Sequence, residues 1–189
     1  MFHQKKEKGF TLIEMVVSVA LFAVVMTICV DVLLSLINAN RKAQALQSVM
    51  NNLNIALDGM VRNIREGSDF HCGSGPTGSP QDCAAGATTF AFEPYGNTNS
   101  DPSWVLSFAQ DASGVGRIYK SVGGQSPIAI TAPEVSVDEM DFYVVGTTQG
   151  DTTQPKVIIV IKGSAGVAGT SARTTFHIQA TAVQRSLDL

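Results

Sequence analysis

The sequence predicts an α+β chain: one long N-terminal helix, a membrane anchor in its first half, packed on an antiparallel β-sheet head. Three observations predict it. An apolar run beginning at Phe10 passes without a break into an amphipathic helical pattern that ends near Glu66. From residue 67 onward the sequence offers only short strand-like runs, with no alternation of strand and helix that would call for a parallel sheet. Aromatic residues make up only 7 % of the chain, and Gly, Ser and Thr crowd its C-terminal two thirds, which suits strands and long connections rather than a dense helical enzyme.

Residues 1–9, MFHQKKEKG, are short and basic and show no helix or strand pattern. The apolar run starts at Phe10, is interrupted by Glu14, is uncharged from Met15 to Val30, and continues past Asp31 to Ile37. Phe10 to Ile37 exceeds the ~20 residues that a bilayer-spanning helix needs. The uncharged core is shorter than that, so the span uses its flanks or thins the membrane locally. Lys5, Lys6 and Lys8 precede it and only Arg41 and Lys42 follow closely, which places the N-terminus in the cytoplasm and exports the body. A secretory signal peptide is excluded by length, and Asn38-Ala39 makes a poor cleavage site. A plain single-pass anchor explains the length but not Glu14, because a charge within apolar sequence costs several kcal/mol by most estimates. Asp31 reads as an acid at the membrane interface, and Cys29, within the apolar run, as a small buried hydrophobe.

Lys-Gly-Phe-Thr-Leu-Ile-Glu at residues 8–14 resembles the cleavage and methylation motif of type IV pilins and type II secretion pseudopilins. The resemblance implies that a membrane prepilin peptidase cuts after Gly9, that the new N-terminus Phe10 is N-methylated, and that Glu14 attracts the amino group of a neighbouring subunit during assembly. Elementary physics agrees, since a buried carboxylate and a buried ammonium are each costly alone and cheaper together. Many major pilins bend this helix with a proline, whereas this chain has none between Met1 and Ile37.

Beyond the span, Leu46, Met50, Leu53, Leu57, Met60 and Ile64 recur at alternating spacings of four and three, one apolar stripe on a continuing helix. Gly67 reads as its stop. Strands are expected at Thr88–Glu93, Trp104–Ala109, Gly116–Val122, Ile128–Thr131, Glu134–Val145, Lys156–Lys162 and Arg173–Gln184. Lys156–Lys162 is apolar on both faces and reads as a central strand. In the last run Phe176, Ile178, Ala180 and Ala182 alternate with Thr175, His177, Gln179 and Thr181. Turn-rich loops are expected at Gly96–Ser103, Gly146–Pro155 and Gly163–Ser171. The division is therefore a leader at 1–9, a transmembrane and assembly helix at 10–37, its amphipathic continuation at 38–66, and an extracytoplasmic β-rich head at 67–189.

Cys72 and Cys83 bracket the loop GSGPTGSPQD, and in an oxidising compartment a disulfide fits them; with His71 they offer only three ligands for zinc, one short of a structural site. Asn97, Asn99 and Asp101 put oxygen side chains at alternate loop positions, a calcium candidate lacking the rest of a calcium loop. His177 reads as outward-facing on its strand and Trp104 as core. No nucleophile elbow, H-E-x-x-H or phosphate loop is present, so the sequence is read as non-enzymatic, with no cofactor and no catalytic residues. The formal net charge of −3 becomes more negative if residues 1–9 are removed, which disfavours nucleic acid as a ligand.

The resemblance implies other pilin or pseudopilin subunits, the prepilin peptidase and an inner-membrane assembly platform as partners, beside the lipid bilayer. It implies a single-pass protein of the bacterial cytoplasmic membrane that later enters a filament. The layout is similar to J-type minor pseudopilins, whose heads are strand-rich. The competing reading is a membrane-tethered binding module that captures an exoprotein, DNA or a surface.

Overall fold

A computed structural model describes residues 9–96, 103–133, 135–148, 150–151, 153–165 and 173–186. Helix α1 (Leu12–Glu66) is followed by nine strands: β1 (Ser68–Cys72), β2 (Cys83–Ala87), β3 (Thr89–Glu93), β4 (Trp104–Gln110), β5 (Gly116–Val122), β6 (Ile128–Ala129), β7 (Ser136–Val145), β8 (Lys156–Ala165) and β9 (Thr174–Val183). The chain divides into two units after Arg41.

The first unit is the apolar portion of α1. Its large side chains, Leu12 through Ile37, are all exposed. Two polar side chains within it are satisfied locally: the Ser18 hydroxyl donates to the Glu14 carbonyl at 2.7 Å, and that of Thr27 to the Ala23 carbonyl at 2.9 Å. Hydroxyls bonded in this way, at Ser18 and Thr27, suit a medium without water.

The second unit starts at Lys42 and holds the rest of α1 and all nine strands. The strands form two antiparallel sheets, of order β1-β3-β4-β5-β6 and β2-β7-β8-β9. Val49, Leu53, Leu57, Met60 and Ile64 of α1 are buried in one cluster with residues of both sheets. The expected stripe is thus present with one shift: Val49 is buried, while Leu46 and Met50 lie at its margin. Phe90 of β3 joins the sheets, with ring centroids 5.5 Å from Phe70 of β1, 5.4 Å from Phe92 and 5.5 Å from Phe142 of β7. Such clusters contribute packing beyond their apolar area.

The two-sheet arrangement refines the single sheet expected, and β1 and β2 are additions to the expected strands. Both are short and irregular: Asp69 has φ 53°, Gly86 has φ 87°, and each strand's pairing shifts register. β8 runs on to Ala165, into the segment expected as a loop, because Gly163 and Ser164 pair with Phe176 and Thr175. β8 is flanked by β7 and β9, as its two apolar faces required. Along β9, Phe176 and Ala182 are buried and Thr175, His177, Gln179 and Thr181 exposed. Trp104 is half-buried and packs against the core, its ring 5.9 Å from Phe92 and covered on one side by the Lys120 ammonium at 3.6 Å.

Candidate functional site

The start of α1 is built by Thr11. Its hydroxyl oxygen accepts the Glu14 N–H at 3.4 Å, and its carbonyl accepts the Met15 N–H at 3.2 Å, the two bonds of an N-terminal cap. Threonine with glutamate three residues on is also the capping-box pattern, so local helix physics alone gives Thr11 and Glu14 a reason to be paired. Phe10 precedes the cap and is 79 % exposed. Gly9 is exposed, and a Cβ placed there would meet nothing within 4 Å. No described neighbour therefore requires glycine at this position.

Among the described residues, the Glu14 carboxylate has no ion-pair partner, and neither does Asp31. Both lie on an exposed apolar helix. In water such a surface is a liability, and it reads instead as one that lipid or neighbouring chains must cover. α1 is long and apolar enough to cross a membrane.

Residues 4–30 match the family model described as the prokaryotic N-terminal methylation motif. The chain carries the type IV pilin and pseudopilin signature. The match covers Gly9, Phe10, Thr11 and Glu14 together, and it ends at Val30, within the apolar portion of α1. It points to a structural subunit that a prepilin peptidase processes, with membrane anchoring by the N-terminal helix and pilin-type subunits as partners. No curated protein and no solved structure matches the chain. Cys29, expected as a small buried hydrophobe, is a free thiol exposed on this helix.

In the head, Cys72 at the end of β1 and Cys83 at the start of β2 are disulfide-bonded, with Cα atoms 5.6 Å apart, which links the two sheets. The enclosed loop is held at several further points. The Cys72 N–H donates to the Gln81 carbonyl at 3.1 Å, and the Gln81 N–H to that of Phe70 at 3.0 Å. The buried His71 ring bonds through Nδ1 to the Ser79 carbonyl at 2.7 Å, and the Thr77 hydroxyl donates to Glu93 at 2.7 Å. His71 is therefore committed to the loop, and no group of three metal-ligating side chains occurs among the described residues. Asp82 caps the β7–β8 connection, accepting N–H groups of Thr147 at 2.9 Å and Gly146 at 3.2 Å. Burial raises its pKa, but these bonds to Thr147 and Gly146 outweigh that and hold it below the ordinary value. Sequence reasoning missed Asp82, since an aspartate in a turn-rich stretch gives no sign of a partner 65 residues away. The calcium candidate Asn97, Asn99 and Asp101 lies outside the described residues.

Proposed function

We propose that this chain is a structural subunit of a type IV pilus-like filament or type II secretion pseudopilus, and a minor, J-like one. Prepilin peptidase cuts after Gly9, Phe10 is N-methylated, and the mature helix leaves the bilayer to pack against neighbouring helices at the assembly platform. The observation that carries this reading is a Glu14 carboxylate with no ion-pair partner among the described residues, on an exposed apolar helix and four residues after Phe10 within the matched motif. A neighbouring subunit's Phe10 ammonium neutralises Glu14 and is neutralised by it, removing two desolvation costs at once. The lysines of residues 5–8 keep the leader cytoplasmic and the head outside. The absence of proline from the span, and a head whose described residues form nine strands in two sheets, favour the minor subunit.

The test is the mature N-terminus. Mass spectrometry of the protein from its own membranes should find a chain beginning at methylated Phe10. A chain that retains Met1 would instead make this a tethered extracytoplasmic binding module.

A further inference from the structure

β9 is an edge of the four-stranded sheet, and among the described residues its backbone pairs only with β8. Sheet edges are normally protected by charge, proline, a bulge or short length. The other described edges follow that rule: β1 and β2 have five residues each and shift register, and β6 has two. Thr174–Val183 follows none of it. The strand has ten residues, an unbroken register, no charged residue and no proline.

The register also tells which backbone groups are open. The Gln184 N–H donates to the Pro155 carbonyl at 2.9 Å, just beyond the ladder, so Gln184 and Pro155 form a hydrogen-bonded pair. Alternation back along β9 then turns Phe176, Ile178, Ala180 and Ala182 toward β8. The N–H and C=O groups of Thr175, His177, Gln179, Thr181 and Val183 are left pointing to the free edge.

Beside the end of this edge is a hollow of about 530 Å³ lined by Arg62, Arg65 and Arg185. Arg185 lies two residues past β9, and its N–H donates to the Arg65 carbonyl at 2.7 Å. Ile55 and Asn63, on the other flank of α1, line a separate hollow with Trp104 of the five-stranded sheet. Arg185 thus places the arginine hollow just past the C-terminal end of β9. Asp58 and Glu66 also line it, yet none of the three guanidiniums has an ion pair among the described residues.

We propose that the free edge of β9 and the arginine hollow beside it together receive an extended acidic segment of another protein, added as a further strand. Backbone bonds to the open edge hold the segment, and acidic side chains at one end meet the arginines. A second copy of this chain is the poorer occupant. Its other described edges are short, most of them broken in register, and its β9 brings no carboxylate to the arginines.

The test uses the full mature chain in nanodiscs and fluorescent peptides of alternating threonine and valine, with two aspartates at the N- or the C-terminus. One of these should bind saturably and slow hydrogen exchange at Thr175, His177, Gln179, Thr181 and Val183. Lysines in place of the aspartates, or Arg62→Ala/Arg65→Ala/Arg185→Ala, should weaken binding about tenfold. Gln179→Pro removes an outward N–H without touching the β8 ladder, so it should abolish binding while the Phe176 and Ile178 amides stay slow. If that variant unfolds, the arginine variant and the exchange pattern still decide. Equal binding of the lysine peptides, no binding of either acidic peptide, binding without protection of the edge, or self-pairing of the chain through β9 would each overturn the proposal. None of these results bears on methylation of Phe10, so this inference and the filament reading fail separately.

Discussion

The Glu14 N–H donates to the Thr11 hydroxyl oxygen across 3.4 Å, closing the first turn of α1 immediately after Phe10. The backbone of Glu14 is thus fixed by the cap, while its carboxylate remains without an ion-pair partner among the described residues. Removing the carboxylate should leave the anchor intact, because valine is at home in an apolar helix. Glu14→Val is expected to fractionate with membranes at wild-type levels and to enter filaments at least several-fold less. Incorporation equal to wild type would count against the charge pair.

Gly9 makes a second, separate prediction. A Cβ at Gly9 would meet nothing within 4 Å and the position precedes α1, so Gly9→Trp is expected to leave the fold undisturbed. Any failure of processing then reports on the peptidase, which needs close approach to the backbone. The precursor is expected to accumulate at full length and outside filaments, as seen by immunoblot of membrane and sheared-filament fractions. Normal maturation of this variant would remove Gly9 from the cleavage site.

Most of the helix was legible because its signals are periodic and long: the apolar run, and the alternating stripe from Leu46 to Ile64. Strands β5, β7, β8 and β9 were legible within a few residues for the same reason, since runs such as VIIVI or the alternation of β9 have no competing reading. β1 and β2 were not. They pair across register shifts and through residues with positive φ, so no period-2 pattern marks them. The split into two sheets is a tertiary outcome of Phe90, Phe70 and Phe142 meeting, which no local pattern encodes. At the N-terminus, a short stretch carried the whole candidate site, because the motif is contiguous in sequence and depends little on the fold.

The Cys72–Cys83 bond closes a short loop and joins β1 to β2 across the two sheets. Loops of this size contribute about 3 kcal/mol by restricting the unfolded chain. Cys72→Ser is expected to lower the stability of the head by roughly 2–4 kcal/mol in urea unfolding under oxidising conditions. Under reducing conditions the variant and the wild type should unfold nearly together. A variant as stable as the oxidised wild type would show that the hydrogen bonds of the loop alone hold the sheets.

Asp82 gives a pH dependence with a definite sign. Its pKa is below the ordinary 3.8 in the folded chain, since the bonds from Thr147 and Gly146 outweigh the effect of burial. A depressed carboxylate contributes stability above its unfolded pKa and loses it as pH falls through the folded value. Stability of the head should therefore fall below about pH 4. Asp82→Asn should be less stable than wild type at neutral pH and show a shallower acid loss. Asp111 is depressed too, first by its hydrogen bond to the Arg117 side chain at 2.6 Å, so the single variant removes only part of the slope. A slope unchanged in Asp82→Asn would mean that the capped turn at Gly146 does not open with the head.

Gly67 ends α1 by closeness rather than by a left-handed turn. Its φ is not positive, and its N–H still bonds to the Asn63 carbonyl at 2.9 Å. A Cβ there would sit 2.6 Å from the Glu93 carbonyl oxygen and 2.6 Å from Cδ2 of Phe92. The first of these is backbone of β3 and the second a fully buried ring stacked on Phe90, so neither neighbour yields without moving the core. Alanine would be the better helix former in isolation, and propensity alone favours Gly67→Ala by up to about 1 kcal/mol. Overpacking opposes it with a typical cost of about 1–3 kcal/mol, and here the contact is too short for a small adjustment. Gly67→Ala is therefore expected to destabilise the head by about 1–2 kcal/mol net in urea unfolding. Gly59→Ala is the control: Gly59 lies inside the same helix, where a Cβ meets nothing, and it should be neutral or stabilising. If both variants gain stability, the approach of the helix end to β3 is looser than these distances describe.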